Sequence, residues 1–409
     1  MKKLNTLSLL GAVLLLTVVT GQARLNAQES SVLKRLAAAG DLLIAREVDT
    51  EIPVDGSSRV WNKAKAYKIP IISQFSVAPR VKTLDRSELT VRVLYNDKEI
   101  GLRLSWKDRT VDENVAATER FGDAVAVCFP MTYGNGERLP YVGMGDGEQP
   151  VNIWHWKAAW QADIDRGFQG VAETYVNRMP LTTPVLYASG PEAGAPISQQ
   201  KRATPAENLM AAGFGTLTST ASAGLRAQGV WQKGFLKKGA WRVVLKRPLS
   251  PRGHGVDIDV AKGLLPITFA TWDGGGSQRN GTKSITRWRF IQFAGKEIPA
   301  VSLRTISTGF SQADVERGKR LVDTLECIKC HNLPGAAAAK DVGTDLRFTG
   351  AIFRVDYLID SLKHPNQVVV PAPRYFTPAT GLSTMPQYAP EDVNEQDFQD
   401  MATYLRTLQ

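Results

Sequence analysis

Cys327-Ile328-Lys329-Cys330-His331 is the stretch of this 409-residue chain whose residue types and spacing most directly encode chemistry. Two thiols spaced C-x-x-C can each add across a vinyl group of one porphyrin. A histidine directly after the second thiol then lies beneath the metal, so the pattern reads as a c-type haem site. Cys327 and Cys330 supply the thioethers in that reading and His331 the proximal ligand. A zinc site asks for further thiols or histidines, and a thioredoxin-type dithiol asks for a βαβ frame. Neither surrounds the motif. Iron that transfers electrons rather than binding a substrate needs a second axial ligand. Met385, in Thr384-Met385-Pro386, follows a Pro/Gly-rich stretch from which a thioether can be aimed across the haem, and thioether ligation raises the potential. Met401 reads more simply as core of the last helix. His364, in Leu362-Lys363-His364-Pro365, reads as a solvent-facing helix end.

The third cysteine, Cys128, sits in Ala-Val-Ala-Val-Cys-Phe, a setting for a buried inert thiol rather than a reactive one. With two of three cysteines assigned to haem, no disulfide framework exists. Four histidines and no serine–histidine–acid arrangement argue against a hydrolase. Gly276 to Gly281 approaches a phosphate loop, but Thr282 separates the glycine from Lys283-Ser284, and a strand-like alternation follows where a helix is needed.

Helices have to position the C-x-x-C-H motif. Past Pro299 the periodicity becomes helical: Val315, Gly318, Val322 and Leu325 share a face behind a capping box read from Ser311 to Asp314. Phe398, Met401, Ala402, Leu405 and Leu408 form a second such face at the C-terminus, with Gly318 allowing close approach between the two helices. Residues 301–409 are therefore expected to be a small all-α domain. Residues 53–300 have another texture. Ile100, Leu102, Leu104 and Trp106 alternate with polar residues, and Val91, Val93 and Tyr95 precede them across Asn96-Asp97-Lys98, the signature of a hairpin. Further strands are expected at Ala124–Phe129, Val151–Trp160, Trp241–Lys246, Ile267–Trp272 and Ile285–Phe293, which together make an all-β sandwich or barrel. Residues 180–225, rich in Pro, Ala, Gly, Ser and Thr, read as a long excursion loop. Residues 28–52 form a linker or docking segment with a helix-prone run from Val32 to Ile44.

Residues 1–27 read as a Sec-type export signal, with Lys2 and Lys3 ahead of the apolar run Leu7 to Val19. Cleavage would leave a soluble periplasmic or otherwise exported protein; an uncleaved signal would leave a membrane anchor. The formal charge of +10 is dispersed. No Lys/Arg run of the nucleic-acid-binding kind is present, and an acidic protein partner suits the charge better.

Two resemblances sharpen this reading. Residues 312–409 resemble a class I cytochrome c through Glu316-Arg317-Gly318-Lys319, the C-x-x-C-H motif, Gly343-Thr344-Asp345-Leu346, Met385-Pro386 and Ala402-Thr403-Tyr404-Leu405. That family usually has proline where Thr344 stands, with its carbonyl accepting from the histidine ring; Thr344 still offers a carbonyl. Residues 55–295 resemble the haem b-binding γ subunit of type II dimethyl sulfoxide reductase-like molybdoenzymes, the ethylbenzene dehydrogenase γ family. The resemblance rests on Asp123 to Val127 with Phe129-Pro130, Gly143-Met144-Gly145, Pro150 to Ala158, Trp272-Asp273-Gly274, Lys283-Ser284 and Trp288. It implies a DOMON-like β-sandwich holding haem b non-covalently between a methionine and a lysine. Met144 is the methionine by position, against the alternative of a turn methionine without a ligand role. Lys283 is the lysine by position, with Lys157 and Lys233 as rivals. His155, beside two tryptophans, reads as a core or outer-shell residue. The whole then implies a diheme electron-transfer subunit, not itself an enzyme. Its partners would be iron–sulfur and molybdenum subunits of one complex, first of all nitrite oxidoreductase, and a soluble or membrane cytochrome outside it. The alternatives are a stand-alone diheme shuttle, or a ligand-binding sandwich fused to a monohaem cytochrome c.

Overall fold

The computed structural model describes residues 31–77, 86–115, 117, 119–167, 202–234, 239–251, 253–307, 313–338, 342–370 and 375–409. The stretch read as an export signal lies outside them. Among the described residues, no helix is long and apolar enough to cross a membrane.

Period-two alternation builds the first domain. Strands β1 (Leu42–Glu47), β2 (Tyr67–Ser73), β3 (Arg86–Tyr95), β4 (Glu99–Asp108), β5 (Ala124–Pro130), β6 (Val151–Lys157) and β7 (Ala206–Ala211) are followed by β8 (Thr218–Thr220), β9 (Arg226–Lys233), β10 (Gly239–Pro248), β11 (Leu264–Trp272), β12 (Ser284–Ile285) and β13 (Arg289–Phe293). They pair in the order β8-β7-β6-β5-β11-β12-β2-β3-β4-β10-β9, with β1 between β3 and β13, and β13 against β11. Inward residues of β3, β4 and β10 (Val91, Leu102, Leu104, Val243) meet those of β5, β6 and β11 (Val127, Trp154, Trp156, Phe269) in one buried core. The β3–β4 hairpin forms where the sequence places it. The Asn96 side chain accepts from the N–H groups of Lys98 and Glu99, both at 2.9 Å, which fixes the turn and with it the register.

Every residue of β5 is buried, so its outward side chains are covered as well as its inward ones. The outer face carries Ala126, Cys128, Val151, Ile153, Leu209, Ala211, Ala270 and Ile285, an apolar surface that a one-sided sandwich would leave to water. That cluster continues without a break into the C-terminal domain, taking in Val322, Phe353, Leu358, Phe398 and Met401.

The second domain is helical: α4 (Val315–Thr324), α5 (Thr349–Ile352), α6 (Val355–Lys363) and α7 (Glu395–Thr407), after α1 (31–38), α2 (Ala158–Arg166) and α3 (Ala300–Ser307) in the first part of the chain. Helix α4 starts at Asp314, whose side chain accepts from the Arg317 N–H at 2.9 Å; helix α7 starts with a full capping box between Asn394 and Asp397. A Cβ on Gly318 would stand 2.0 Å from the Asp400 carbonyl oxygen, so only glycine lets α4 and α7 approach this closely. Arg317 bridges the same contact to Asp397 and Asp400.

Several expectations are corrected. The helix-prone run from Val32 ends at residue 38, and Leu42–Ile44 belong to β1, whose parallel pairing with β13 outweighs local helix preference. Residues 206–211 and 218–220, inside the expected excursion loop, are strands β7 and β8. Strand β6 stops at Lys157, and Ala158–Trp160 open α2. The expected Ile285–Phe293 strand is broken into β12 and β13 around Thr286, whose hydroxyl bonds back to Phe269. Asp314, not a box from Ser311, caps α4; Ser311 lies outside the described residues.

The two domains are joined by specific contacts. The Tyr141 ring packs on Phe353 and Tyr357 at 6.0 and 5.8 Å, and Phe75 meets Phe348 edge-on at 5.7 Å. Asp41, buried at the start of β1, binds Arg287 at 2.8 Å and Arg289 at 3.2 Å, and lies 4.0 Å from Arg354 of the helical domain.

Candidate haem sites

In the helical domain, a 3-10 turn over Cys327–Lys329 presents the motif, and the His331 N–H donates to the Cys327 carbonyl at 2.9 Å. Gly343 donates to the Cys330 carbonyl at 2.8 Å, which brings the next carbonyl, that of Thr344, to 2.7 Å from His331 Nδ1. An imidazole that donates from Nδ1 keeps its lone pair at Nε2 for a metal. Burial lowers the pKa of His331, which favours that neutral form. Cys327 and Cys330 are unbridged thiols, and burial pushes Cys327 up to about 11. Met385 is half-buried against the shared apolar cluster, its N–H donating to the Ser383 hydroxyl at 3.1 Å. Met401 is fully buried on α7, a core residue, and His364 is exposed at the end of α6. The donor set fits a covalently attached haem: two thiols, one oriented imidazole and one thioether in a tethered loop.

On the sandwich, Met144 and Lys283 are both held by their loops rather than by a strand interior. Asp146 clamps the 138–149 loop, accepting from Arg138 at 2.9 and 2.7 Å and from the N–H groups of Tyr141 and Gln149, each at 3.0 Å. Met144, in the middle of that loop, is half-buried against the outer-face cluster. Lys283 immediately precedes β12, and its carbonyl accepts from the Gln74 N–H at 2.8 Å. Its Nζ lies 5.2 Å from the centroid of Trp272, and burial lowers its pKa, which is the direction a metal-binding amine needs. The rivals are differently placed. Lys157 is paired with Glu207 and lies over Trp160 at 4.2 Å, and Lys233 is exposed at the end of β9.

His155 departs from the sequence reading in one respect. Its Nε2 is buried and has no hydrogen-bond partner, while its ring lies 4.7 Å from that of Trp272. Burial, then Lys157 and Lys283, hold its pKa well below the ordinary value, so it is neutral. Cys128 is on the same face, and burial raises its thiol to about 12, in keeping with an inert role. An orphaned imidazole nitrogen, a desolvated amine, a thioether and a floor of alanines at 126, 211 and 270 suit a flat, largely apolar metal cofactor.

Sequence reasoning missed two features. Asp108, Asp123 and Asp273 bring carboxylate oxygens within 4.8 Å of one another at the ends of β4 and β11 and the start of β5, though Asp273 stands well over a hundred residues further along the chain than the other two. Burial and the neighbouring Asp123 raise Asp108 to about 7; burial raises Asp123 to about 6. A cleft of about 510 Å³ also opens between the domains, lined by Arg138, Val142, Trp288, Phe353, Tyr357 and Asp360. Only the packing of the domains creates it.

A model of the ethylbenzene dehydrogenase family matches residues 58–284, and a cytochrome c model matches residues 315–409. The chain is 25% identical over 268 residues to a protein of Haloferax mediterranei named for a respiratory nitrate reductase heme subunit, covering 63% of this chain and 78% of the relative. It is 28% identical over 238 residues to the chlorate reductase subunit gamma of Ideonella dechloratans, covering 57% and 77%. Identity to the dimethylsulfide dehydrogenase subunit gamma of Rhodovulum sulfidophilum is 25% over 261 residues, covering 61% and 78%. A family 9 carbohydrate binding module from Caldicellulosiruptor kristjanssonii aligns over 62% of this chain and 94% of its own at 9% identity. Its TM-score of 0.30 is too low to carry an argument.

Proposed function

We propose, from the premise that this chain belongs to the ethylbenzene dehydrogenase family and carries a C-terminal cytochrome c domain, that it is the electron-transfer γ subunit of an exported molybdoenzyme complex. It passes electrons between an iron–sulfur subunit and a soluble or membrane cytochrome, and leaves substrate chemistry to a molybdenum subunit on another chain. In support, two of the relatives are named as gamma subunits, of a chlorate reductase and of a dimethylsulfide dehydrogenase, and one as a respiratory nitrate reductase heme subunit. The observation that carries the reading is the continuity of one buried cluster from the sandwich face beside Lys283 and His155 to the domain of the C-x-x-C-H motif. Electron tunnelling falls steeply with distance, so a chain that relays electrons needs such a packed junction.

In this reading Cys327 and Cys330 attach haem c, with His331 and Met385 on its iron, and Met144 and Lys283 hold haem b. When bound, the two irons supply reversible one-electron chemistry. The Thr344 carbonyl orients His331, and desolvation lowers the Lys283 pKa, the direction that binding a metal as a neutral amine needs. Residues 1–27 direct export. The finer assignment, to nitrite oxidoreductase, rests on the fused cytochrome c domain. The test is affinity purification of the tagged chain from its native host under non-denaturing conditions. A stoichiometric large molybdenum protein together with an iron–sulfur protein is expected. A chain that elutes alone, free of molybdenum, contradicts the subunit reading and favours a stand-alone shuttle.

A further inference from the structure

We propose that His155 is a positioning residue for Lys283: its Nε2 lone pair accepts a hydrogen bond from the Lys283 amine when that amine is bound to haem iron. The inference rests on the haem b reading above and deepens it. A lysine bound to iron as a neutral amine keeps two N–H bonds. In an apolar, water-poor site those donors need acceptors, because an unmet buried donor costs about 1–3 kcal/mol. Backbone carbonyls of the neighbouring strands are already engaged in ladder pairing, which makes a side-chain acceptor with no other partner the better candidate.

Trp272 is a neighbour common to both groups. The Lys283 Nζ lies over its ring at 5.2 Å, and the His155 ring lies 4.7 Å from it at an interplanar angle of 32°. The strand register explains the meeting: His155 on β6 pairs with Ala126 on β5, Ala126 pairs with Ala270 on β11, and Ala270 pairs with Ile285, two residues after Lys283. Alanines, the smallest side chains after glycine, occupy the two register positions between the histidine and the strand that follows Lys283. His155 Nε2 is buried and lacks any hydrogen-bond partner, an expensive condition for a core histidine and an expected one for an acceptor whose donor, the Lys283 amine, is turned towards it only when that amine binds a cofactor. Partners of this outer-shell kind fix the orientation of a metal ligand and raise its basicity.

The test uses the full-length chain in its complex, with His155→Leu, which removes the acceptor, and His155→Gln, which returns one at a similar reach. Transfer of haem b to apomyoglobin should be about 10–100-fold faster for His155→Leu, the usual scale for loss of such a partner. The haem b midpoint potential should rise, since a less basic amine stabilises ferric iron less. His155→Gln should restore both, and haem c should respond to neither. A His155→Leu protein with wild-type transfer rate and potential overturns the proposal, as would a water molecule already serving as partner. So does His155→Gln behaving like His155→Leu. If the near-infrared charge-transfer band of the wild-type protein reports histidine ligation of haem b, and His155→Leu removes that band, His155 is a ligand and the proposal again fails. Wild-type protein without extractable haem overturns the underlying reading as well, so the two failures are told apart before any variant is made.

Discussion

At the scale of single residues, the haem c site depends on one backbone carbonyl and the space beside it. Thr344 replaces a residue type usual in class I cytochromes, yet the acceptor for His331 is a main-chain atom, so the side chain at 344 is immaterial to the 2.7 Å contact. Gly343 is not. A Cβ there would lie 2.7 Å from both His331 Nδ1 and the Cys330 carbonyl. Gly343→Ala is therefore expected to tilt His331 and lower the yield of covalently attached haem, measured by in-gel haem stain against protein, while Thr344→Ala leaves it unchanged. On the sandwich, Lys283→Ala should abolish the haem b spectrum and spare that of haem c; an unchanged spectrum would pass the ligand role to Lys157, Lys233 or His155. The cytochrome c domain was legible because the C-x-x-C-H motif is a local pattern, whereas the methionine loop and Lys283 are proposed from the positions that family likeness marks. The unsatisfied state of His155 was not legible, since hydrogen bonding to a ring nitrogen depends on groups brought together by four strands.

At the scale of elements, glycine at 318 and the carboxylates at the strand ends give opposite lessons. Helical periodicity alone suggested that Gly318 faces the terminal helix, and the 2.0 Å clearance to Asp400 bears this out. Gly318→Ala should cost about 1–3 kcal/mol through overpacking, read as earlier thermal unfolding of the helical domain. The Asp108–Asp123 pair could not be read, because its members meet only after β4 and β5 are aligned. Both folded pKa values, about 7 and about 6, lie above that of an unfolded carboxylate, so the folded state binds protons more tightly than the unfolded one. This contribution is fully present below the ordinary carboxylate pKa and is lost as pH rises through about 6 to 7. Asp108→Asn, which mimics the protonated form, should raise the thermal midpoint at pH 8, with the advantage shrinking as pH falls towards 5. An advantage independent of pH would contradict the assignment. Strands β1, β7 and β8 escaped notice for a related reason: their composition is helix- or loop-like, and pairing with a neighbour decides their state.

At the scale of the whole molecule, a single buried carboxylate ties the N-terminal strand, the sandwich and the cytochrome domain together. Asp41 meets Arg287, Arg289 and Arg354, each no more than 7% exposed at the side chain. Removing Arg354 leaves Asp41 with two partners, whereas removing Asp41 leaves buried arginines uncompensated. Asp41→Asn is therefore expected to destabilise by about 3–5 kcal/mol and Arg354→Gln by distinctly less, measured by denaturant unfolding; equal effects would contradict the arrangement. The two-domain layout was visible as a change from period two to helical periodicity near residue 300. The face on which the domains meet was not, although the unbroken apolar run of β5 signalled that both its sides are covered.

The central claim is that one chain carries two irons held in two ways. Acid–acetone extraction of the pure wild-type protein, followed by pyridine haemochrome assay of extract and residue, tests it directly. The account predicts one extractable haem and one covalently retained haem per chain. Retained haem with a colourless extract would contradict it, leaving a monohaem cytochrome fused to an iron-free sandwich.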